Sequence, residues 1–409
     1  MNPSKHSLTV LAQLFKLIPR NLIPNLAKKH GVKEKSRTFT PTSHVLALMF
    51  GQLSHAISLN DICDSLKNHS GALSSMRESV PPSKNGFSNA NRVRNADMAE
   101  DLFWSVYQEF LERYPDFATK GRKYIGIPRR FRRKIHIVDS TTIKLVANCY
   151  DWAKHRRRKA AAKMHLRMDL HSFLPNFVLV KSANTNDLVE SIEVCAAVEA
   201  GEIVVFDKAY VGYEHFHILN ERGVFFVTRL KENTKYRVVG QHSAPQGDIL
   251  RDEYIELTDP KTKKKYPGKL RLVKAIVLVD NEPKVMQFLT NNFEWAPSSI
   301  CDLYKSRWAI EVFFKEIKQT LQIADFIGFN ENAVCWQIWI ALLVYILLRY
   351  VAWQGKWQHS FTRLFTVLRG VIWSYLDMYD VLNCCGTASG PTRIRAVPEQ
   401  CYLPGFAPT

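Results

Sequence analysis

The sequence predicts an α/β fold with a β-rich insertion and a helical N-terminal domain, on three observations. The first 70 residues carry apolar positions at helical spacing. From residue 134 onward, short β-branched runs alternate with amphipathic helical patterns, the signature of a mixed or parallel sheet with crossover helices. Between residues 230 and 296 the alternation stops, and four strand-like runs follow one another with turn signals between them.

In chain order, "SLTVLAQLFKLI" has helical periodicity, and "TPTSHVLALMFGQLSHAI" opens a second helix with Thr42 or Ser43 as N-cap. "SLNDICDSLKNH" begins another, with Ser58 or Asn60 available to cap it. Residues 71–90 are rich in Gly, Ser and Pro and read as a linker. A helix follows around "DMAEDLFWSVYQEFLERY", then the basic stretch "KGRKYIGIPRRFRRK". "KIHIVDSTTIKLV" reads as a strand whose apolar run ends at Asp139. "KMHLRMDLHSF" and "PNFVLVKSA" are the next strands, joined by a turn at Leu174 and Pro175. "DLVESIEVCAAVEAG" is an amphipathic helix closed by Gly201, and "EIVVF" is a buried strand with Asp207 at its C-terminal end. "YEHFHILNERG" and "VFFVTRL" supply one more helix and strand. "KTKKK", residues 261–265, reads as a solvated turn inside the β-rich block. The organisation is therefore 1–80 N-terminal helical domain, 81–133 linker, helix and basic run, 134–229 first part of the core, 230–296 insertion, 297–352 second part of the core, and 353–409 C-terminal helices.

A chain of 409 residues accommodates two or three domains. Its net charge of +18, from 56 Lys and Arg against 38 Asp and Glu, suits a polyanionic partner such as nucleic acid. The eight cysteines form neither a CxxC pair nor a zinc spacing, and read as reduced thiols of a cytoplasmic protein. The opening residues lack the pattern of a secretory signal. "VCWQIWIALLVYILLRYVAW" is the strongest membrane candidate. Gln337 and Arg349 confine its uninterrupted apolar run to the segment Ile338 to Leu348, short of the ~20 residues a bilayer span needs, so it reads as a buried helix and no membrane partner is expected.

The chemistry concentrates in "YKSRWAIEVFFKEIK", residues 304–318. At about 100° per residue, with Tyr304 at zero, Arg307 falls near 300°, Glu311 near 340° and Lys318 near 320°, so four polar side chains share an arc of roughly 60°. Ile310, Phe313, Phe314, Ile317 and Leu321 collect on a separate apolar arc that would pack inward. Alone, such a stripe is an ordinary surface ion ladder, and an Asp ending a strand is an ordinary cap. Together, two strand-terminal aspartates in a βα alternation and a Glu on such a helix point to one edge of the sheet, where ligands of open α/β sheets sit. Three clustered carboxylates demand cations, and hard divalent ions with oxygen ligands, Mg²⁺ above all, answer that demand. Two ions about 3.5–4 Å apart would clamp the attacking and leaving oxygens of a phosphoryl displacement.

The spacing Tyr304, two residues, Arg307, three, Glu311, six, Lys318 resembles the signature of the DDE transposases of the IS4-like insertion-sequence family. "VDSTTIKL" and "VFDKAYVGYEHF" resemble the segments around that family's first and second aspartates. The resemblance implies an RNase H-like catalytic core. It implies Asp139, Asp207 and Glu311 as catalytic metal ligands for Mg²⁺, with Mn²⁺ able to substitute, in two sites. Tyr304, Arg307 and Lys318 become holders of the DNA backbone, with Tyr210, three residues after Asp207, beside them. The partners implied are double-stranded DNA, as terminal inverted repeats and target, and a second copy of the chain on paired ends. Where some relatives place a base-stacking Trp, this chain has Met286, with Phe293 and Trp295 as nearby aromatics. The basic run holding Arg156, Arg157, Arg158 and Lys163 reads as a further phosphate-binding segment. A nuclease on the same core without strand transfer, and an inactive DNA-binding regulator, are the competing readings. His136, His165 and His171 read as core or DNA-contacting residues.

Overall fold

The computed structural model describes residues 2–32, 39–119, 131, 133–145, 154–155, 159–182, 187–279, 282–323, 328 and 330–385. The N-terminal third is helical: α1 (Val10–Lys16), α2 (Leu22–Lys29), α3 (Pro41–Ser54), α4 (Leu59–Asn68), α5 (Ser70–Ser74), α6 (Lys84–Val93), α7 (Asp97–Arg113) and α8 (Pro115–Thr119). The N-cap of α3 is Thr40, ahead of the Thr42 or Ser43 expected, because Pro41 takes the first helical position and the Thr40 hydroxyl accepts from the Ser43 amide. Ser58 caps α4 as expected. The stretch 71–90, read as a linker, is instead packed structure. It contributes most of α5 and the start of α6, with Ser83 capping α6, and buries Leu73, Met76, Phe87 and Ala90.

The strands are β1 (Ile135–Leu145), β2 (Lys154–His155), β3 (Lys159–Asp169), β4 (Leu174–Ser182), β5 (Ile203–Phe206), β6 (Phe225–Arg229), β7 (Tyr236–Ser243), β8 (Ile249–Leu257), β9 (Leu270–Val279) and β10 (Glu282–Thr290). Between them lie α9 (Asp187–Val194), a 3-10 turn (Lys208–Tyr210), α10 (Tyr213–Glu221) and α11 (Pro260–Lys265). Among the described residues they form a single sheet. One half has the order β4-β3-β1-β5-β6, with β3 antiparallel to β1 and with β1, β5 and β6 parallel. This is the RNase H-like core.

The β-rich block is not a separate layer. Its last strand, β10, pairs antiparallel with β6, so β10-β9-β8-β7 extends the core sheet as a meander. Two local expectations change. "KTKKK" lies in the short exposed helix α11, because Asp259 caps it and Pro260 starts it. The turn between β3 and β4 is Leu170–Phe173, closed by the Asp169 carboxylate accepting from the Ser172 amide and hydroxyl; Leu174 and Pro175 already belong to β4.

Behind the sheet run α12 (Pro297–Ser306), α13 (Ala309–Lys315), a π-helical turn (Glu316–Thr320), α14 (Glu331–Gln354), α15 (Phe361–Gly370) and α16 (Met378–Cys385). By length and composition α14 could cross a membrane, yet most of it is buried inside the protein. It packs against α3, α6, α7 and α15, and each fully buried Leu or Ile along it contributes about 1.5–3 kcal/mol of burial energy. The N-terminal helices pack into this same core. Of the residues of α3 only Ser54 escapes full burial, and α3 therefore offers no free face to a DNA groove.

Candidate active site

Parallel pairing of β1 with β5 ends at Val138 opposite Phe206, and the next residues are Asp139 and Asp207. Because the strands run the same way, both aspartates emerge at one edge of the sheet. Asp207 does leave its strand, capping the 3-10 turn by accepting from the Ala209 amide. Asp139 does not end its strand, contrary to expectation. It lies within β1, opposite Leu166 of β3, because antiparallel pairing carries β1 on to Leu145 after the parallel pairing has stopped.

The signature stretch is not one α-helix. At Arg307 and Trp308 the chain tightens into 3-10-type bonds, with the Arg307 amide donating to the Tyr304 carbonyl (3.0 Å) and the Glu311 amide to the Trp308 carbonyl (3.1 Å). After Lys315 it widens into the π turn, closed by the Leu321 amide on the Glu316 carbonyl at 3.0 Å. One break overwinds and the other underwinds relative to 100° per residue. The expected apolar arc of Ile310, Phe313, Phe314, Ile317 and Leu321 is buried.

Arg307 sits among all three carboxylates. Its Nη1 donates to Asp139 Oδ2 at 2.7 Å and its Nη2 to Glu311 Oε1 at 3.0 Å, while Nε faces Asp207 Oδ1 at 3.9 Å. Side-chain exposure grades the trio, at 15% for Asp139, 34% for Asp207 and 58% for Glu311, with Arg307 at 11%. Burial lifts the Asp139 carboxyl to about 6; Asp207 and Glu311 repel its charge, and Arg307 and the Ser140 amide oppose the rise. Burial also works against the Arg307 charge, but the surrounding carboxylates prevail and hold its pKa above the ordinary arginine value. Among the described residues, no three His, Cys, Asp or Glu side chains stand close enough together to hold a metal ion. The donor set is nevertheless all hard carboxylate oxygen, the type a divalent ion such as Mg²⁺ takes. Its chemistry fits such an ion, and its present spacing fits a guanidinium.

The remaining candidate residues divide. Lys318 reaches across to β1, its Nζ donating to the Thr142 carbonyl at 2.7 Å. Lys163, opposite Thr142 in β3, is half-buried on the same sheet. Arg156, Arg157 and Arg158 lie outside the described residues. Tyr210 is fully buried, with its hydroxyl 3.0 Å from His165 Nδ1. Tyr304 is also buried, packed on Phe288 and under the Arg307 guanidinium. Trp295 packs on Phe131 and Phe225, and Met286 is half-buried against the core; Phe293 keeps an exposed edge beside Tyr254. His136 pairs with Glu202 at 2.9 Å in the interior, and His171 lies in the β3–β4 turn rather than in a strand. Sequence reasoning missed the buried pair Glu316–Arg349 behind the signature; an Arg closing a long apolar run was its visible trace.

An RNase H-like sheet carrying two aspartates where the parallel pairing of its central strands stops, with a third carboxylate on the helix packed beside them, has the arrangement of the DDE class. The family model described as Transposase DDE domain matches residues 130–347, and the chain belongs to that family. A model described as a domain of unknown function (DUF4372) matches residues 6–76. The chain is 36% identical over 229 residues to y4zB of Sinorhizobium fredii, named by inference as a transposase, spanning 55% of this chain and 62% of that one. It is 27% identical over 232 residues to a Geobacillus stearothermophilus protein named by inference as the transposase of insertion sequence element IS5377, spanning 56% and 59%. A longer match, 22% over 366 residues and 76% of this chain against 73% of the other, joins it to the transposase for insertion sequence element IS231C of Bacillus thuringiensis. The chain thus spans about 60% of the length of the first two relatives. Among solved structures, the piggyBac transposase synaptic complex with hairpin DNA matches with a TM-score of 0.44 at 11% identity, covering 96% of this chain and 85% of that one.

Proposed function

We propose that this chain is the DNA transposase of an insertion sequence. In this reading it binds the terminal inverted repeats of its element as a homodimer on paired ends, cleaves there, and joins the freed ends to target DNA. The observation that carries the reading is the convergence of Asp139, Asp207 and Glu311 on one guanidinium at the edge of the family-matched core. Asp139, Asp207 and Glu311 would hold Mg²⁺, or Mn²⁺ in its place, with the two aspartates as the innermost pair. Two such ions, when bound, supply activation of the attacking oxygen and charge relief at the leaving one.

The chain's own residues do the rest. Arg307 keeps the three carboxylates together by charge until a stronger claim on its guanidinium arises; a DNA phosphate makes that claim, because it offers the same planar two-point recognition. Lys318, about three turns further along, meets a neighbouring phosphate as a point charge. The net charge of +18 draws DNA to the protein and makes binding steeply salt-dependent.

The test is Asp139→Asn with a duplex carrying the element's end, with and without Mg²⁺. Cleavage and strand transfer should disappear while DNA affinity stays within a few-fold. Unchanged cleavage would remove Asp139 from the site, and cleavage without joining in the wild type would leave a nuclease.

A further inference from the structure

The π turn Glu316–Thr320 has no role in the reading above, yet it carries Lys318. Such turns are rare, strain the regular ladder, and gather at functional sites. Here the turn is pinned from the side away from the catalytic edge. The Glu316 side chain is buried and ion-paired to Arg349 of α14, Oε2 to Nη2, at 2.5 Å. Arg349 in turn lies against the rings of Phe173, Tyr345 and Phe361, 5.0 to 5.1 Å from their centroids, and its Nε donates to the Tyr345 hydroxyl at 2.8 Å. At the other end, Nε2 of His55, which follows α3, lies 2.8 Å from the Thr320 carbonyl, Gln52 of α3 donates to the Leu321 carbonyl, and the Thr320 hydroxyl meets that of Thr362 in α15 at 2.8 Å. Between the pins Lys318 projects the opposite way, to the Thr142 carbonyl three residues beyond Asp139.

A buried ion pair is an inefficient way to stabilise a core, since apolar residues of similar shape serve as well or better. What this pair does, and apolar residues would not, is hold one register of the helix. We infer that Arg349 is a positioning residue: through Glu316 it locks the π turn so that the Lys318 ammonium stands beside the Asp139 strand. The inference rests on the proposed function in one respect, that Lys318 meets a DNA phosphate there.

The experiment measures the dissociation constant of a fluorescein-labelled duplex carrying the element's end, by anisotropy across a salt series, without divalent ions. Each phosphate contact contributes a slope of about 0.9 in log K against log salt. K318Q should lower the slope by about 0.9. The apolar replacement E316L/R349M should melt at or above the wild-type temperature and lower the slope by the same amount. Adding K318Q to it should cost nothing further. R349Q, a smaller change in chemistry, should reproduce the loss. A wild-type slope in folded E316L/R349M and R349Q, or a loss additive with that of K318Q, overturns the positioning role. A wild-type slope in K318Q itself would remove the Lys318 phosphate contact and the inference with it, leaving the carboxylate site to stand or fall on Asp139→Asn.

Discussion

Replacing Arg307 by Met keeps an unbranched but shorter side chain and removes the guanidinium that stands among the three carboxylates. In a chelator-treated protein the loss should be large. Removing one member of a well-buried ion pair typically costs about 3–5 kcal/mol. The Arg307–Asp139 pair at 2.7 Å is close to that limit, whereas Glu311 is more than half exposed and its share is screened by water. Asp139 also has an escape, since with Arg307 gone its pKa rises beyond about 6 and the group can protonate. A net destabilisation of about 2–3 kcal/mol at pH 7.5 follows, shrinking toward pH 5 as the carboxylate takes a proton. Urea denaturation with EDTA measures the cost. Repeating it with Mg²⁺ or Mn²⁺ measures the competition: a ligand that binds only the native state stabilises by RT ln(1 + [L]/Kd), so the variant should gain more from metal than the wild type does. Equal stability in EDTA, or an equal or smaller gain from metal, would refute the idea that Arg307 holds the place a divalent ion takes.

Three further outcomes follow from groups elsewhere in the chain. Burial, helped by Arg94, pushes His44 down to about 3, and burial pushes His215 down to about 4. Both folded values lie below the unfolded one, so the unfolded state binds the extra protons and stability should fall as pH drops below about 6.5, by about 1.4 kcal/mol per unit for each histidine; His44→Asn should remove one histidine's share of that slope in denaturation curves at pH 7 and pH 5. In the sheet extension Arg271 and Asp252 are fully buried and joined twice, at 2.7 and 2.8 Å; Arg271→Met should cost about 3–5 kcal/mol and loosen β8 and β9, seen as lost hydrogen-exchange protection there. Cys195 is buried and its thiol is pushed up to about 12, so alkylation should reach it only on unfolding, whereas exposed Cys385 should react in the native protein; mass mapping after brief iodoacetamide treatment separates the two.

Much of the fold was legible because its patterns are local. Alternating β-branched runs marked β1, β5 and β6, and Gly201 and Gly223, both at positive φ, punctuated the connections after α9 and α10. The packed stretch 71–90 was not legible, since Gly, Ser and Pro report where the chain bends and not what it is pressed against. That Tyr210 and Tyr304 are buried was not legible either, because tyrosine serves equally well inside or out. The continuity of the insertion with the core depended on β10 lying beside β6, a pairing between segments more than fifty residues apart.

What the sequence alone determined about this protein is its inventory: the strands and helices, the excess of positive charge, and three carboxylates with an Arg and a Lys at a spacing that marks the family. Tertiary structure alone decided how those groups meet. Periodicity assumes a uniform helix, but the signature tightens at Arg307 and widens at Glu316, under bonds from α3, α14 and α15 that no local pattern encodes. It was long-range packing that brought the Arg307 guanidinium into the midst of Asp139, Asp207 and Glu311, because opposite charges held at a desolvated sheet edge find each other in space rather than along the chain.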